Sequence, residues 1–195
     1  KEWKWINYNP VSMIRKPKSP KPRDRRITNQ ETEKILQALH FKEGSPVTLK
    51  MHQVAILFLL AIETAMRTTE MTTLEWDQVK LKERYIKLNK TKNGDSREVP
   101  LSKRAIAILA WMNGIHKSKV FTINAGSMDT MFRKAKNKAE IENLHFHDTR
   151  REATSRLAQK LDVMDLAKMT GHRDLKMLLN VYYKPKATDL ALLLD

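Results

Sequence analysis

The chain contains no cysteine, which excludes a disulfide framework and any zinc site built on thiolates, and fits a reducing compartment. Nor does it contain a long apolar run. The longest, Val54 to Ile62, is far below the roughly 20 residues needed to cross a bilayer, so it reads as a buried central helix. Acidic residues are scarce. The 22 Asp and Glu stand against 37 Lys and Arg, giving a formal net charge of +15 and a pI near 10.0. A charge of that size points to a polyanion, with nucleic acid first and an acidic membrane surface second. There is no internal repeat, no signal peptide and no clustered acid set that would cage a metal. The chain opens on Lys1 rather than Met, so it reads as a piece of a longer protein whose targeting stays open.

What is present is a globular composition, 41% hydrophobic and 30% charged, and enough length for one domain with a small appendage. Residues 1–26 stand apart. Trp3, Trp5, Ile6, Tyr8 and Pro10 read as the end of a packed upstream element. A proline-broken cationic segment follows, carrying Arg15, Lys16, Lys18, Lys21, Arg23, Arg25 and Arg26. Its prolines disfavour helix and its charges favour an extended, solvated chain. It is either a plain linker or one that lies along DNA phosphates.

From residue 27 the pattern is mainly α with one small antiparallel β-sheet. Thr28 or Asn29 caps a helix through Ile35, Leu36 and Leu39, and a buried helix runs from about Leu49 to Met66. Val79–Leu81, Tyr85–Leu88 and Arg97–Leu101 are short strand candidates, with a turn at Asn93-Gly94-Asp95. Helices are then expected over Ala105–Met112, around Met128–Phe132, from near His147 and from near Val163. A tail begins at about 184.

Basic and hydroxyl residues punctuate this frame. Arg67 follows the buried helix, with Glu70 three residues on, either as a structural ion pair or as an arginine held for a phosphate. Lys92 sits at the hairpin tip, where a lysine is usually solvated but has the reach to protonate a leaving alkoxide. His147 and Arg150 share one face at a helix start, where the helix terminus itself attracts phosphate. His145 and His147 lack the further ligands a metal needs. Gly171 is placed to end a helix, and His172 after it reads equally as a core histidine. Tyr182 and Tyr183 are adjacent aromatics that suit packing. As a nucleophile either phenol, with an ordinary pKa near 10, needs a base or a cationic site.

Taken together, the order and spacing of these residues resemble the catalytic domain of the tyrosine recombinases, the phage-integrase family. That family carries a Thr-Gly-Met-Arg motif with an acid three residues later, to which Thr64-Ala65-Met66-Arg67 and Glu70 are similar. Its hairpin lysine before Val-Pro-Leu matches Lys92 and Val99-Pro100-Leu101. The His-x-x-Arg box matches His147 and Arg150, and the Gly-His box matches Gly171-His172. Two departures stand out: Ala65 replaces the usual glycine, and Tyr182 lies ten residues beyond His172, where many members have nine. A Leu-Asn-x-Tyr ending goes with the longer spacing, which favours Tyr182 over Tyr183. The resemblance covers about residues 27 to 195.

The resemblance implies the tyrosine-recombinase catalytic-domain fold. It makes residues 1–26 the end of a core-DNA-binding domain plus linker. The implied activity is site-specific DNA breaking and rejoining through a 3′-phosphotyrosyl intermediate, without metal, ATP or other cofactor. Tyr182 is then the nucleophile, with Arg67, Lys92, His147, Arg150 and His172 around it and Glu70 behind Arg67. Double-stranded DNA is the expected partner. The further expectations are a homotetramer on DNA exchanging C-terminal tails, accessory DNA-bending and directionality proteins, no membrane, and a cytoplasmic, nucleoid-associated location. A type IB topoisomerase-like relaxing enzyme, a non-catalytic DNA-binding module and a metal nuclease are the competing readings.

Overall fold

The computed structural model describes residues 8–15, 17, 23–89, 96–183 and 191. Trp3, Trp5, Ile6, Lys16, Lys18, Lys21, Lys92 with its Asn93-Gly94-Asp95 turn, and the tail from 184 apart from Ala191 lie outside the described residues. Over the described residues the order is α1 (Asn29–Ala38), α2 (Lys50–Thr64), α3 (Thr68–Thr72), β1 (Val79–Lys80), β2 (Tyr85–Leu88), β3 (Arg97–Pro100), α4 (Lys103–Ala110), α5 (Ala125–Lys138), α6 (Asp148–Leu157), α7 (Val163–Thr170) and α8 (Leu175–Val181). Short 3-10 turns sit at Pro10–Met13 and Trp76–Gln78.

Thr28, not Asn29, caps α1. Its hydroxyl accepts from the Glu31 N–H at 3.1 Å, while the Glu31 carboxylate accepts from the Thr28 N–H at 2.9 Å. The apolar run forms the middle of α2, which is buried on nearly every face and packs against α4, α5 and α6. Phe58 of α2 stacks on Phe132 of α5 at 5.6 Å, and Phe132 meets Phe146 edge-on at 5.2 Å just before α6 begins. Each such aromatic pair adds about 0.5–1.5 kcal/mol beyond the area it buries. This node fixes α6 against α2. No described helix is long and apolar enough to cross a membrane.

The three strands form one antiparallel sheet in the order β1-β2-β3, with Ile86 paired to both Val79 and Val99, and Leu88 to Arg97. Ile86, Leu88 and Val99 face the core, as the alternation anticipates. The connection from β2 to β3 is the stretch that includes Lys92. Helix α7 packs on β3, and α7 with α8 closes a second, smaller core around Leu166, Ala167 and Leu178.

The last residues of the basic segment differ from the solvated linker expected. Arg23 grips Asp148 through two hydrogen bonds of 3.0 and 2.8 Å and also bonds Asn143. Arg26 and the Ile27 N–H both donate to Glu152, at 2.6 and 3.1 Å, and Arg151 pairs with Asp24 at 2.5 Å. Arg25 pairs with Glu31. After the last proline, Pro22, the backbone is free to lie down, and α6 presents the carboxylates that arginine forks match. Arg15 remains exposed.

Glu152 is the centre of that strap, with a side chain only 3% exposed and Arg156 as a third partner at 2.7 Å. Glu152→Ala leaves the Ile27 N–H unpaired but lets both arginine heads rehydrate. It should therefore cost about 2–3 kcal/mol in urea denaturation. Trypsin should also cut faster after Arg23, Arg25 and Arg26. Unchanged cleavage there would mean the strap is not what holds the segment.

Candidate active site

The site begins where α2 ends. Ala65 caps that helix in the left-handed region, with φ 54° and ψ 19°, a conformation costing an L-residue about 1–2 kcal/mol. This is why glycine suits the position. Here the alanine methyl is fully buried instead. The turn leaves the Ala65 carbonyl free of the helix and puts Arg67 at the N-cap of α3.

Glu70, in the first turn of α3, has every lone pair occupied. Oε2 accepts from the Arg67 backbone N–H at 2.8 Å and from Arg97 Nη2 at 2.7 Å. Oε1 accepts from Arg67 Nη1 at 2.9 Å and from Arg97 Nη1 at 2.8 Å. Burial pushes the Glu70 carboxyl up, but the bonds from Arg97 and from the Arg67 backbone outweigh it and hold the pKa below its ordinary value. Glu70 is thus an ionised clamp.

The second half of the site is the C-terminal end of α7. Gly171 caps the helix with φ 70° and ψ 41°, as its position in the sequence anticipates. Helix ends leave carbonyls without intrahelical donors. Here three consecutive ones meet three arginines. Met169 O accepts from Arg97 Nε at 3.1 Å, Thr170 O from Arg150 Nη2 at 2.6 Å, and Gly171 O from Arg67 Nη2 at 3.5 Å. Arg150, buried in the first turns of α6, also donates through Nη1 to the freed Ala65 carbonyl. The ends of α2 and α7 therefore hold Arg150 between them. Burial, then the charges of Arg67 and Arg97, bring its pKa down to about 10, so it stays cationic at neutral pH.

His147 precedes α6 and reaches solvent. Partial burial, then Arg150, lowers its pKa against the pull of Asp148, leaving a neutral ring able to accept a proton. His172 is half-buried beyond Gly171. Burial, followed by Arg150, Arg67 and Arg97, pushes it down to about 4. Its Nδ1 lies 2.5 Å from the Thr170 hydroxyl, which donates to the Leu166 carbonyl at 2.6 Å. In that arrangement the imidazole Nδ1–H is the donor to Thr170.

Tyr182 caps α8 and is half-buried, packed with Tyr183 against the smaller core. Burial raises its pKa, while Arg151, Arg150 and Arg26 draw it down. Arg151 lies over the ring at 5.7 Å. Tyr183 is differently used. Its hydroxyl donates to the Leu161 carbonyl at 2.5 Å.

Arg67, Glu70, His147, Arg150, His172 and Tyr182 are thus gathered around the facing ends of α2, α6, α7 and α8. Lys92 lies outside the described residues. Arg23, Arg25 and Arg26 spend their guanidinium groups on Asp148, Glu31 and Glu152. Sequence reasoning missed Arg97 and Arg151. For Arg97 the only signal was a charged residue two positions before the inward-facing Val99, and so on the same face of its strand, and for Arg151 a doubled arginine on a helix. Among the described residues no three carboxylate or imidazole groups gather as a metal site requires.

The depressed histidines set a pH dependence. An unfolded chain takes up protons near pH 6.5, while folded His172 refuses them until about 4. Stability should therefore hold above pH 6.5 and decline as pH falls toward 4. Urea midpoints measured across that window should show the slope, and His172→Gln should flatten it. An equally steep slope in His172→Gln would place the effect elsewhere.

The phage integrase family model matches residues 25–188. A Haemophilus influenzae protein provisionally named an integrase/recombinase is 43% identical over 195 residues, covering 99% of this chain and 64% of its own. The shufflon-specific DNA recombinase of Escherichia coli is 40% identical over 179 residues, covering 91% of this chain and 44% of its own. The chain thus spans about half to two-thirds of the length of such relatives. Among solved structures, a lambda integrase dimer bound to a core site superposes with a TM-score of 0.70 at 20% identity, covering 95% of this chain and 68% of that one. The XerA recombinase superposes at 0.63 and 17% identity, covering 94% and 68%. The mainly helical architecture with its small antiparallel sheet is the tyrosine-recombinase catalytic-domain fold, and the chain belongs to the phage integrase family.

Proposed function

We propose that this chain is the catalytic part of a site-specific DNA recombinase that cuts and rejoins strands through Tyr182. One observation carries the reading: Arg67 and Arg150 are held side by side on the Gly171 and Thr170 carbonyls at the end of α7, immediately before His172, with His147 three residues before Arg150 at the start of α6 and Arg151 over the Tyr182 ring. Such a cluster suits the two non-bridging oxygens of a phosphodiester, whose charge grows as a fifth oxygen approaches phosphorus.

In this mechanism the Tyr182 phenolic oxygen attacks phosphorus and the P–O5′ bond breaks. The phenolic proton passes to a base, for which neutral His147 is suited. The leaving 5′ oxygen takes a proton from an acid, the role assigned to Lys92 by its motif. The product is a 3′-phosphotyrosyl bond and a 5′-hydroxyl. A 5′-hydroxyl from the partner duplex then attacks the same phosphorus and releases Tyr182. One phosphoester replaces another, so no ATP is consumed. His172 hydrogen-bonds the phosphate in the tautomer in which the Thr170 hydroxyl turns to donate to Nδ1 and Nε2–H faces the anion, and Glu70 orients Arg67. On DNA this chemistry calls for four copies exchanging the tails that begin near 184, with bending and directionality proteins as accessories, at the nucleoid. The linker cations Arg15, Lys16, Lys18 and Lys21 are assigned to DNA phosphates, and Arg23, Arg25 and Arg26 reach them by exchanging their carboxylate partners.

The test uses the native-length protein and a pool of nicked duplexes of randomised sequence, with covalent adducts recovered after denaturation. Tyr182→Phe should abolish the adduct while Tyr183→Phe retains it. Arg150→Ala should slow it by about 10²- to 10³-fold. Loss of the adduct in Tyr183→Phe alone would overturn the nucleophile assignment, and chelator-sensitive free ends without an adduct would overturn the mechanism.

A further inference from the structure

Arg97 belongs to none of the motifs above, yet it joins two of them. We propose that Arg97 is a positioning residue for strand cleavage: by occupying Glu70 and the Met169 carbonyl together, it keeps Arg67 available to the phosphate and fixes the turn that presents His172. This rests on the recombinase reading above.

Three observations carry it. First, the guanidinium spends all three nitrogens inside the protein, two on Glu70 and one on Met169, and the side chain is only 8% exposed. Only an arginine fork spans a carboxylate and a carbonyl in that way. Arg67, by contrast, is 25% exposed and gives Glu70 a single side-chain donor.

Second, the charge count matters. Arg67, Arg97 and Glu70 together carry one net positive charge, and without Arg97 they carry none. Glu70, its side chain 6% exposed, would then turn both oxygens on Arg67, its remaining ion-pair partner. That bidentate pairing would draw donors and charge away from a bound phosphate.

Third, Arg97 lies flat against Gly171. A Cβ at that glycine would come within 3.1 Å of Arg97 Nη1 and 3.3 Å of its Cδ. The arginine therefore sets the height of the turn just before His172. It also opens β3, five residues after Lys92.

A buried ion pair that only supports folding makes different predictions from one that frees Arg67. The native-length protein, its Arg97→Gln variant and the double variant Arg97→Gln with Glu70→Gln are compared on the nicked-duplex pool. Thermal midpoint, DNA affinity and single-turnover adduct formation are measured for each. The proposal expects Arg97→Gln to bind DNA within about threefold of the parent but to form adduct about 10- to 100-fold more slowly, the range usual for a residue supporting a ligating group. It expects the double variant, which removes the competing carboxylate charge, to recover at least about tenfold of that loss. Cleavage by Arg97→Gln at the parental rate overturns the proposal, as does a double variant that folds but cleaves no faster than the single. If Arg97→Gln does not fold, the double variant is compared with the parent, and a loss beyond about 10³-fold overturns it. Absence of any adduct in the parent defeats the recombinase reading itself, and this proposal with it. A normal parent with an indifferent Arg97 defeats this proposal alone.

Discussion

Three guanidinium groups held on three successive carbonyls at the end of one short helix are the interaction on which the rest depends. Arg67, Arg150 and Arg97 repel one another, and at an effective dielectric of about 20 two unit charges a few ångströms apart cost several kcal/mol. The end of α7 supplies partial negative charge, and Glu70 supplies a full one, so the cluster persists while remaining net positive. In the proposed function a DNA phosphate completes it. Burial first, and then this crowding of arginines, depress Arg150 to about 10 and His172 to about 4.

That requirement explains features that otherwise look local. The left-handed Ala65 exists because a carbonyl must leave α2 and reach Arg150. Gly171 is needed twice, for its positive φ and for the close approach of Arg97. The sheet brings β3, and with it Arg97, against α7. The aromatic node of Phe58, Phe132 and Phe146 anchors the start of α6, so that Arg150 arrives between two helix ends rather than beside them.

Much of this was legible in the sequence, and the reason is locality. The Thr28 cap, the Gly171 stop, the apolar α2 and the alternating strands are written within a few residues of themselves. The order of Arg67, Glu70, His147, Arg150, His172 and Tyr182 picked out residues that the fold gathers around the ends of α2, α6, α7 and α8. What stayed hidden depends on contacts across the fold. Arg23 and Arg26 look like solvated cations until α6 arrives more than 120 residues later. Arg97 looks like a strand-edge charge until α7 covers it. Tyr182 and Tyr183 were separable in the sequence by family spacing alone, whereas in the fold Arg151 lies over the Tyr182 ring and the Tyr183 hydroxyl is tied to the Leu161 carbonyl.

At rest the Tyr182 phenol is protonated, because burial outweighs the pull of Arg151 and Arg150. In the proposed mechanism it becomes a nucleophile only once a phosphate and a proton acceptor are in place. The central claim is therefore about one oxygen atom. The most direct measurement is tandem mass spectrometry of the covalent DNA adduct after tryptic digestion, since the peptide beginning at Met177 contains both tyrosines and its fragment ions separate them. The account predicts the nucleotide on Tyr182. A nucleotide on Tyr183 or any other residue, or cut DNA with no modified peptide, would contradict it.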